Sequence, residues 1–323
     1  MRRRDIITLV GGAVVAWPLA ARAQEAGRTY RLGGLAVNPR DAPLWVAMFD
    51  ELRRAGFIEG KNLTVDWHQY GPHVDLIPEF AVALVKAKVD VIVATGDAAI
   101  RAAQQATTTI PILGSTDDMV GSGLVNSMAR PDGNTTGTSI LAAELDGKRQ
   151  EILIEAVPGI RHMAVLADSK RNASQLQSLQ DAARARDIEL SIYQIVRLED
   201  VSAALDAAKA SGAAALNVLS SPILYGSRQI IIQRVAALRL PAIYQFPEEA
   251  EEGGFIGYGP RVVQLYRELV ASMLVKLLRG AKPADLPIEQ PTKFELVINL
   301  KTAKALGLTI PESFLVRADE VIE

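Results

Sequence analysis

The feature that most constrains this 323-residue chain is an alternation of strand and helix patterns that runs once and then starts again. Short apolar runs with strand character begin near residues 30, 63, 89 and 110, and again near 161, 189, 213 and 241. Each start is offset from its counterpart by about 124–131 residues, so the chain reads as two copies of one β/α unit rather than a solenoid. Between the runs lie helical patterns: 42–55, 75–88 and 98–106 in the first copy, 172–186, 201–210 and 223–239 in the second. Residues 119–129 suggest a further short helix and 135–140 a further strand. Strict β/α alternation demands parallel sheets with right-handed crossovers. The expected fold class is therefore α/β, two doubly wound parallel-sheet lobes. The repeat breaks near 138–144, and a long helical pattern at 262–278 precedes a last strand at 294–300 and a helix at 301–306. That tail is long enough to return to the first lobe and cross back. The expected division is 28–138 plus 262–283 for one lobe and 139–261 plus 284–323 for the other, joined by a hinge of several crossings.

The first 23 residues stand apart from this pattern. Arg2, Arg3 and Arg4 precede an uncharged run from 6 to 21, and Ala21-Arg22-Ala23 has the small-residue form of a cleavage site. These are the three parts of a secretory signal peptide. The run of about 16 apolar residues is short for a bilayer span. The arginines suggest a twin-arginine export route, with Sec export as the alternative. The expectation is a soluble protein of a Gram-negative periplasm. With no cysteine anywhere in the chain, lipid anchoring through a cysteine is excluded, as are disulfides, thiolate catalysis and Cys-ligated metals.

Charge and motif content narrow the function classes. The net charge is −2 and only 5% of residues are aromatic, which argues against a nucleic-acid partner. No G-x-G-x-x-G, P-loop or G-x-S-x-G motif occurs. His68, His73 and His162 lack metal-ligand spacing, and the acidic run Glu248, Glu249, Glu251, Glu252 reads as a solvated helix face. No catalytic residue, metal or cofactor is expected.

Open parallel sheets bind ligands beyond the carboxyl ends of their strands. That rule selects Asn38, Thr95, Gly96, Asp97, Ser115, Thr116 and Asp117 in the first copy. In the second it selects Asp168, Ser220, Gln245, Phe246 and Tyr258, with Ser169 and Ser221 beside them. The set is rich in hydroxyls and amides. Two neighbouring strand ends, Thr95-Gly96-Asp97 and Ser115-Thr116-Asp117, would converge hydroxyls and backbone N–H groups on one anionic group of a ligand.

Four segments carry a family resemblance: LRRAGFIEGKNLTVDW (52–67), GLVNSMARPDGNTTG (123–137), EEGGFIGYGP (251–260) and KLLRGAKPADLPIEQPTKFELVINLKTAKALGLTIP (276–311). With them the chain resembles ABC-transporter substrate-binding proteins of the periplasmic-binding-protein type I fold, in the branch with tryptophan-binding members. The resemblance implies two lobes, a three-stranded hinge and a small molecule trapped between the lobes. It also implies delivery to a membrane permease with its ATPase, and a monomeric binding protein. An amino acid or an aromatic carboxylate is the implied ligand. A sensory module of the same fold, serving a receptor instead of a transporter, is the alternative. Asp117-Asp118-Met119 and Ser220-Ser221-Pro222 depart from the pattern usual in that branch, so the ligand need not be the same.

Overall fold

The computed structural model describes residues 27–140, 142–169 and 173–323; the expected export segment at 1–23 lies outside them. The first sheet contains β1 (Tyr30–Ala36), β2 (Leu63–Gln69), β3 (Val91–Thr95), β4 (Ile112–Thr116) and β5 (Thr135–Ser139). They pair in the order β2-β1-β3-β4-β5, all parallel. β1, β3 and β4 are buried almost throughout because helices cover both faces of the sheet. On one face the Pro43–Arg54 helix buries Leu44, Trp45, Met48 and Leu52; on the other lie the Ile77–Lys86 and Asp97–Ala106 helices. Gly34 makes one packing detail possible. A Cβ there would lie 2.0 Å from the Trp67 ring, so only glycine lets the indole lie across β1.

The second sheet contains β6 (His162–Asp168), β7 (Glu189–Ile195), β8 (Ala215–Val218), β9 (Ala242–Tyr244), β10 (Ile256–Gly259), β11 (Glu295–Asn299) and β12 (Glu320–Ile322). Its order is β12-β11-β10-β9-β8-β6-β7, and β10–β11 is the antiparallel pair. The result is the expected α/β architecture of two lobes.

Among the described residues the chain passes between the lobes three times. It leaves the first sheet after β5 and enters the Ala142–Ala156 helix of the second lobe. It returns after β10, when the helix over 262–278 packs Leu265, Tyr266, Met273, Leu274 and Leu277 into the core around Trp45. Residues 286–289 then ride on β5: Glu289 N donates to Gly137 O and Ser139 N to Glu289 O, both at 2.9 Å. The chain is therefore still on the first sheet at Glu289, later than the return at 284 that the sequence suggests, and rejoins the second at β11.

Other departures have local causes. Residues 119–129 form turns, not a helix, because Asp118 Oδ1 accepts from Gly121 N and Gly123 sits at φ 64°. The single helix expected over 223–239 divides at Ser227 into Pro222–Gly226 and Arg228–Ala237. The acidic run is only in part a solvated face: Glu251 and Glu252 are exposed, but Glu249 is not. Glu249 is 1% exposed, its Oε2 accepts from Phe246 N at 2.9 Å, and burial pushes its carboxyl up to about 8.

Candidate functional site

The carboxyl ends of the two sheets face one another across the hinge and are in contact. The Ser220 hydroxyl, just past β8, is within donating distance of Asp117 Oδ1, just past β4, at 3.0 Å. A Cβ on Gly96 would lie 3.2 Å from Pro222 of the opposite lobe, and one on Gly226 would lie 3.4 Å from Val37 and 3.5 Å from Asn38. Tyr225 and Phe246 stack edge to face at 5.0 Å and join the core cluster of the first lobe.

Between the lobes lie two adjoining spaces. The outer one is a cleft of about 500 Å³, whose lining includes Tyr70, Asp97, Asp118, Asp168, Ser220 and Ser221. The inner one is a chamber of about 50 Å³. Its walls are Val37, Leu44, Ile140, Tyr225, Phe246, Val262 and Tyr266, with Asn38, Thr95, Ser115, Thr116, Asp117 and Gln245 as its polar points. Thr116, Asp117 and Pro222 border both spaces. Ile140 stands at the first crossing and Val262 at the second, so the hinge itself supplies part of the chamber wall.

In the first lobe most of the polar residues are engaged locally. Thr95 Oγ1 accepts from Val37 N at 3.4 Å, and the Thr95 carbonyl accepts from the Tyr70 hydroxyl at 2.8 Å. Burial keeps that Tyr70 hydroxyl protonated, well above the ordinary tyrosine range. The Thr138 hydroxyl donates to Ser115 Oγ at 2.9 Å, and the Thr116 hydroxyl donates to Asp97 Oδ1. The expected anion cradle is thereby altered. Gly96 N donates to Ser115 O at 2.9 Å, completing the sheet, so that amide does not face a ligand. The Asp97 carboxylate itself occupies the first turn of the Asp97–Ala106 helix, where an anion would sit.

In the second lobe the polar residues share one brace. Arg149, on the Ala142–Ala156 helix, is fully buried. Its Nη1 donates to Asp146 Oδ1, its Nη2 to Gln245 O and its Nε to Tyr258 O, each at 2.8 Å. Asp146 Oδ1 also accepts from Ser220 N at 3.2 Å. Gln245 Oε1 accepts from Ser221 N at 3.1 Å, and the Ser221 hydroxyl donates to Asp168 Oδ2 at 3.2 Å. Burial lowers the Arg149 guanidinium to about 10, opposed by the nearby charges of Glu249 and Asp117, and it stays charged at neutral pH.

Asn38, Thr95, Ser115, Thr116, Asp117, Gln245 and Phe246 thus meet at the chamber, and Asp97, Asp168 and Ser220 line the cleft. Gly96 borders them through its contact with Pro222. Tyr258 is not brought in. Its side chain packs against the core of the second lobe, and only its carbonyl serves the site, as an acceptor for Arg149. Sequence reasoning missed Arg149, Asp146, Tyr225, Tyr266 and Tyr70. The first two form an Asp–Arg pair three residues apart, a helical spacing in a segment where no helix is expected from the sequence. Tyr225 and Tyr266 stand on helices, where the strand-end rule does not look, whereas Tyr70 directly follows β2, where that rule could have found it.

A family model described as ABC transporter substrate binding protein matches residues 46–322. The chain is 26% identical over 263 residues to a tyrosine-binding protein of Clostridioides difficile, covering 80% of this chain and 74% of that one. Among solved structures it is similar to a conserved domain protein from Vibrio cholerae, with a TM-score of 0.81 and 25% identity over 91% of this chain and 99% of that one. It is similar also to an ABC domain in complex with L-Trp from Streptococcus pneumonia, with a TM-score of 0.78 and 21% identity over 91% and 100% of the two chains.

Proposed function

We propose, from the premise that this chain belongs to the family of ABC transporter substrate-binding proteins, that it is the solute-capturing component of an ABC importer. A small molecule enters the open cleft, the lobes close on it about the three-segment hinge, and the loaded protein docks on a membrane permease with its ATPase. No bond in the ligand is made or broken. Closure is a population shift, driven by whatever additional contacts the ligand makes when both lobes reach it. The protein works in the periplasm of a Gram-negative cell, exported by the twin-arginine or Sec route and released by cleavage after Ala23.

The observation that carries this reading is the chamber walled by both lobes and by the hinge residues Ile140 and Val262. It couples ligand contact to lobe closure with no further device. Its apolar and aromatic walls suit a ligand with an aromatic or aliphatic body, an amino acid before an aromatic carboxylate. An ammonium group would be attracted to Asp117 at its mouth and a lone carboxylate repelled. The names of two relatives, a tyrosine-binding protein and a complex with L-Trp, support the same class.

Native mass spectrometry of protein isolated from its own cells identifies the retained molecule. Uptake of that molecule in a strain lacking the gene then tests the role. Uptake falls to background if the protein feeds an importer. Undiminished uptake would contradict it.

A further inference from the structure

Besides the tyrosines Tyr225 and Tyr266, the chamber is lined by six polar residues, and five of these are already bonded within the protein. Thr95 is held by Val37 N, Ser115 by Thr138, Thr116 by Asp97, Asp117 by Ser220 and Gln245 by Ser221 N. The sixth is Asn38, at the end of β1. It is 8% exposed, it lines the chamber, and its Oδ1 faces Gly226 of the opposite lobe. Among the described residues its carboxamide has no hydrogen-bond partner, although it carries two donors and an acceptor. The carboxamide keeps some access to solvent here; a ligand that fills the chamber strips that water, and one with no hydrogen-bonding group of its own gives nothing back. Backbone conformation does not force an asparagine here, since Asn38 is not at positive φ.

We infer that Asn38 is a specificity-determining residue, and that the ligand end buried in the chamber carries a neutral hydrogen-bonding group on an apolar body. A phenol, an indole N–H or a primary amide has that chemistry; a plain phenyl or branched alkyl group does not. The surroundings exclude a charged group at that point, because Val37, Leu44, Ile140, Phe246 and Val262 offer it no compensation. The charged head of the ligand then points outward, past Asp117, into the larger cleft, which has the room and the polar lining to take it. Discrimination is strong in such an arrangement because a ligand lacking the group leaves the carboxamide unpaired in the closed state.

This inference rests on the solute-binding reading, and the test separates the two. Calorimetry on the full mature chain compares matched pairs that differ only at the buried end: L-tyrosine against L-phenylalanine, and L-tryptophan against 1-methyl-L-tryptophan. The expected result is that the member with the hydrogen-bonding group binds at least tenfold more tightly in at least one pair. Asn38→Leu, close in volume, erases or reverses that preference without lowering the melting temperature. Asn38→Asp, which places a charge in the chamber, weakens every member. Equal or tighter binding of L-phenylalanine and of the methylated indole, unchanged by Asn38→Leu, would overturn the inference while leaving the solute-binding reading intact. If none of the four binds, the molecule retained in native mass spectrometry decides. One with no neutral hydrogen-bonding group overturns the inference; one with such a group, bound at least tenfold more weakly by Asn38→Leu, supports it. A chain that retains nothing and binds none of the four overturns both.

Discussion

In the first lobe, the polar residues at the chamber are fastened to their own strands and loops: Thr95 to Val37, Ser115 to Thr138, Thr116 to Asp97. In the second, Ser220 and Gln245 converge on a single buried pair, Asp146 and Arg149, and Ser221 hangs on Gln245. The two faces descend from the same β/α pattern, yet one is a row of separate fixings and the other a network with a common brace. The difference has a consequence for mutation. Changes on the first face should act one at a time on binding. A change to the brace should act on the whole second face and on stability together.

Arg149→Met is the strongest way to break the comparison. It leaves Asp146 as a buried carboxylate beside two carbonyls that have lost a donor. Removing one partner of a buried pair costs about 3–5 kcal/mol. Urea unfolding should show a loss of that size, with no comparable loss for Thr116→Ala on the first face. A loss below about 1 kcal/mol would mean that the second face does not depend on its brace.

Glu249 sharpens the contrast through pH. Its carboxyl is raised to about 8 by burial, from an ordinary 4.5, so the folded protein keeps a proton that the unfolded chain has given up between those values. Stability from this group is therefore present in full below about pH 4.5 and is lost as pH rises to about 8. At about 1.4 kcal/mol per pKa unit the loss amounts to a few kcal/mol. Glu249→Gln keeps the acceptor for Phe246 N and should flatten the fall in melting temperature over that range. An unchanged slope would remove Glu249 from the account.

Asp117→Ala tests a side-chain bond that joins the faces, to Ser220. A hydrogen bond to a charged group contributes about 1.5–3 kcal/mol. The closed state should lose that support, weakening affinity by roughly tenfold to a hundredfold at little cost in melting temperature. A large drop in melting temperature with unchanged affinity would place Asp117 in the fold and not in closure.

The smallest expected effect on affinity is at Gly96. Its φ of 80° is unfavourable for any other residue, and an added Cβ would meet Pro222 of the facing lobe at 3.2 Å. Gly96→Ala should cost about 1–3 kcal/mol of stability and a few-fold in affinity. Compensating Pro222→Ala should restore part of the affinity and none of the stability.

Much of this was legible in the sequence, for physical reasons that also mark the failures. Apolar runs such as the one around β1 announce strands covered on both faces, and the strand-end rule then led to Asn38, Thr95, Ser115, Asp117 and Gln245. The Ala142–Ala156 helix was invisible because its inward side carries Asp146, Arg149 and Gln150, polar residues where periodicity looks for apolar ones. Glu249 failed the same way: four glutamates within five residues look solvated until topology buries one. Tyr258 was placed by strand-end position alone, and the strand turns its side chain into the core. Tyr225 and Tyr266 enter the chamber from helices whose arrival depends on the hinge crossings, which no local pattern records.

If the two faces close on one small molecule, the distance between the lobes shortens when it binds. The chain has no cysteine, so spin labels can be placed at Val46→Cys on the first lobe and Ile230→Cys on the second, both exposed positions on helices. Double electron–electron resonance then measures the distance between the lobes. Protein stripped of its retained molecule should give a longer and broader distance distribution. Returning that molecule should collapse the distribution to one short distance, and Asp117→Ala should shift it back toward the long one. Identical distributions with and without the molecule would contradict closure on a ligand.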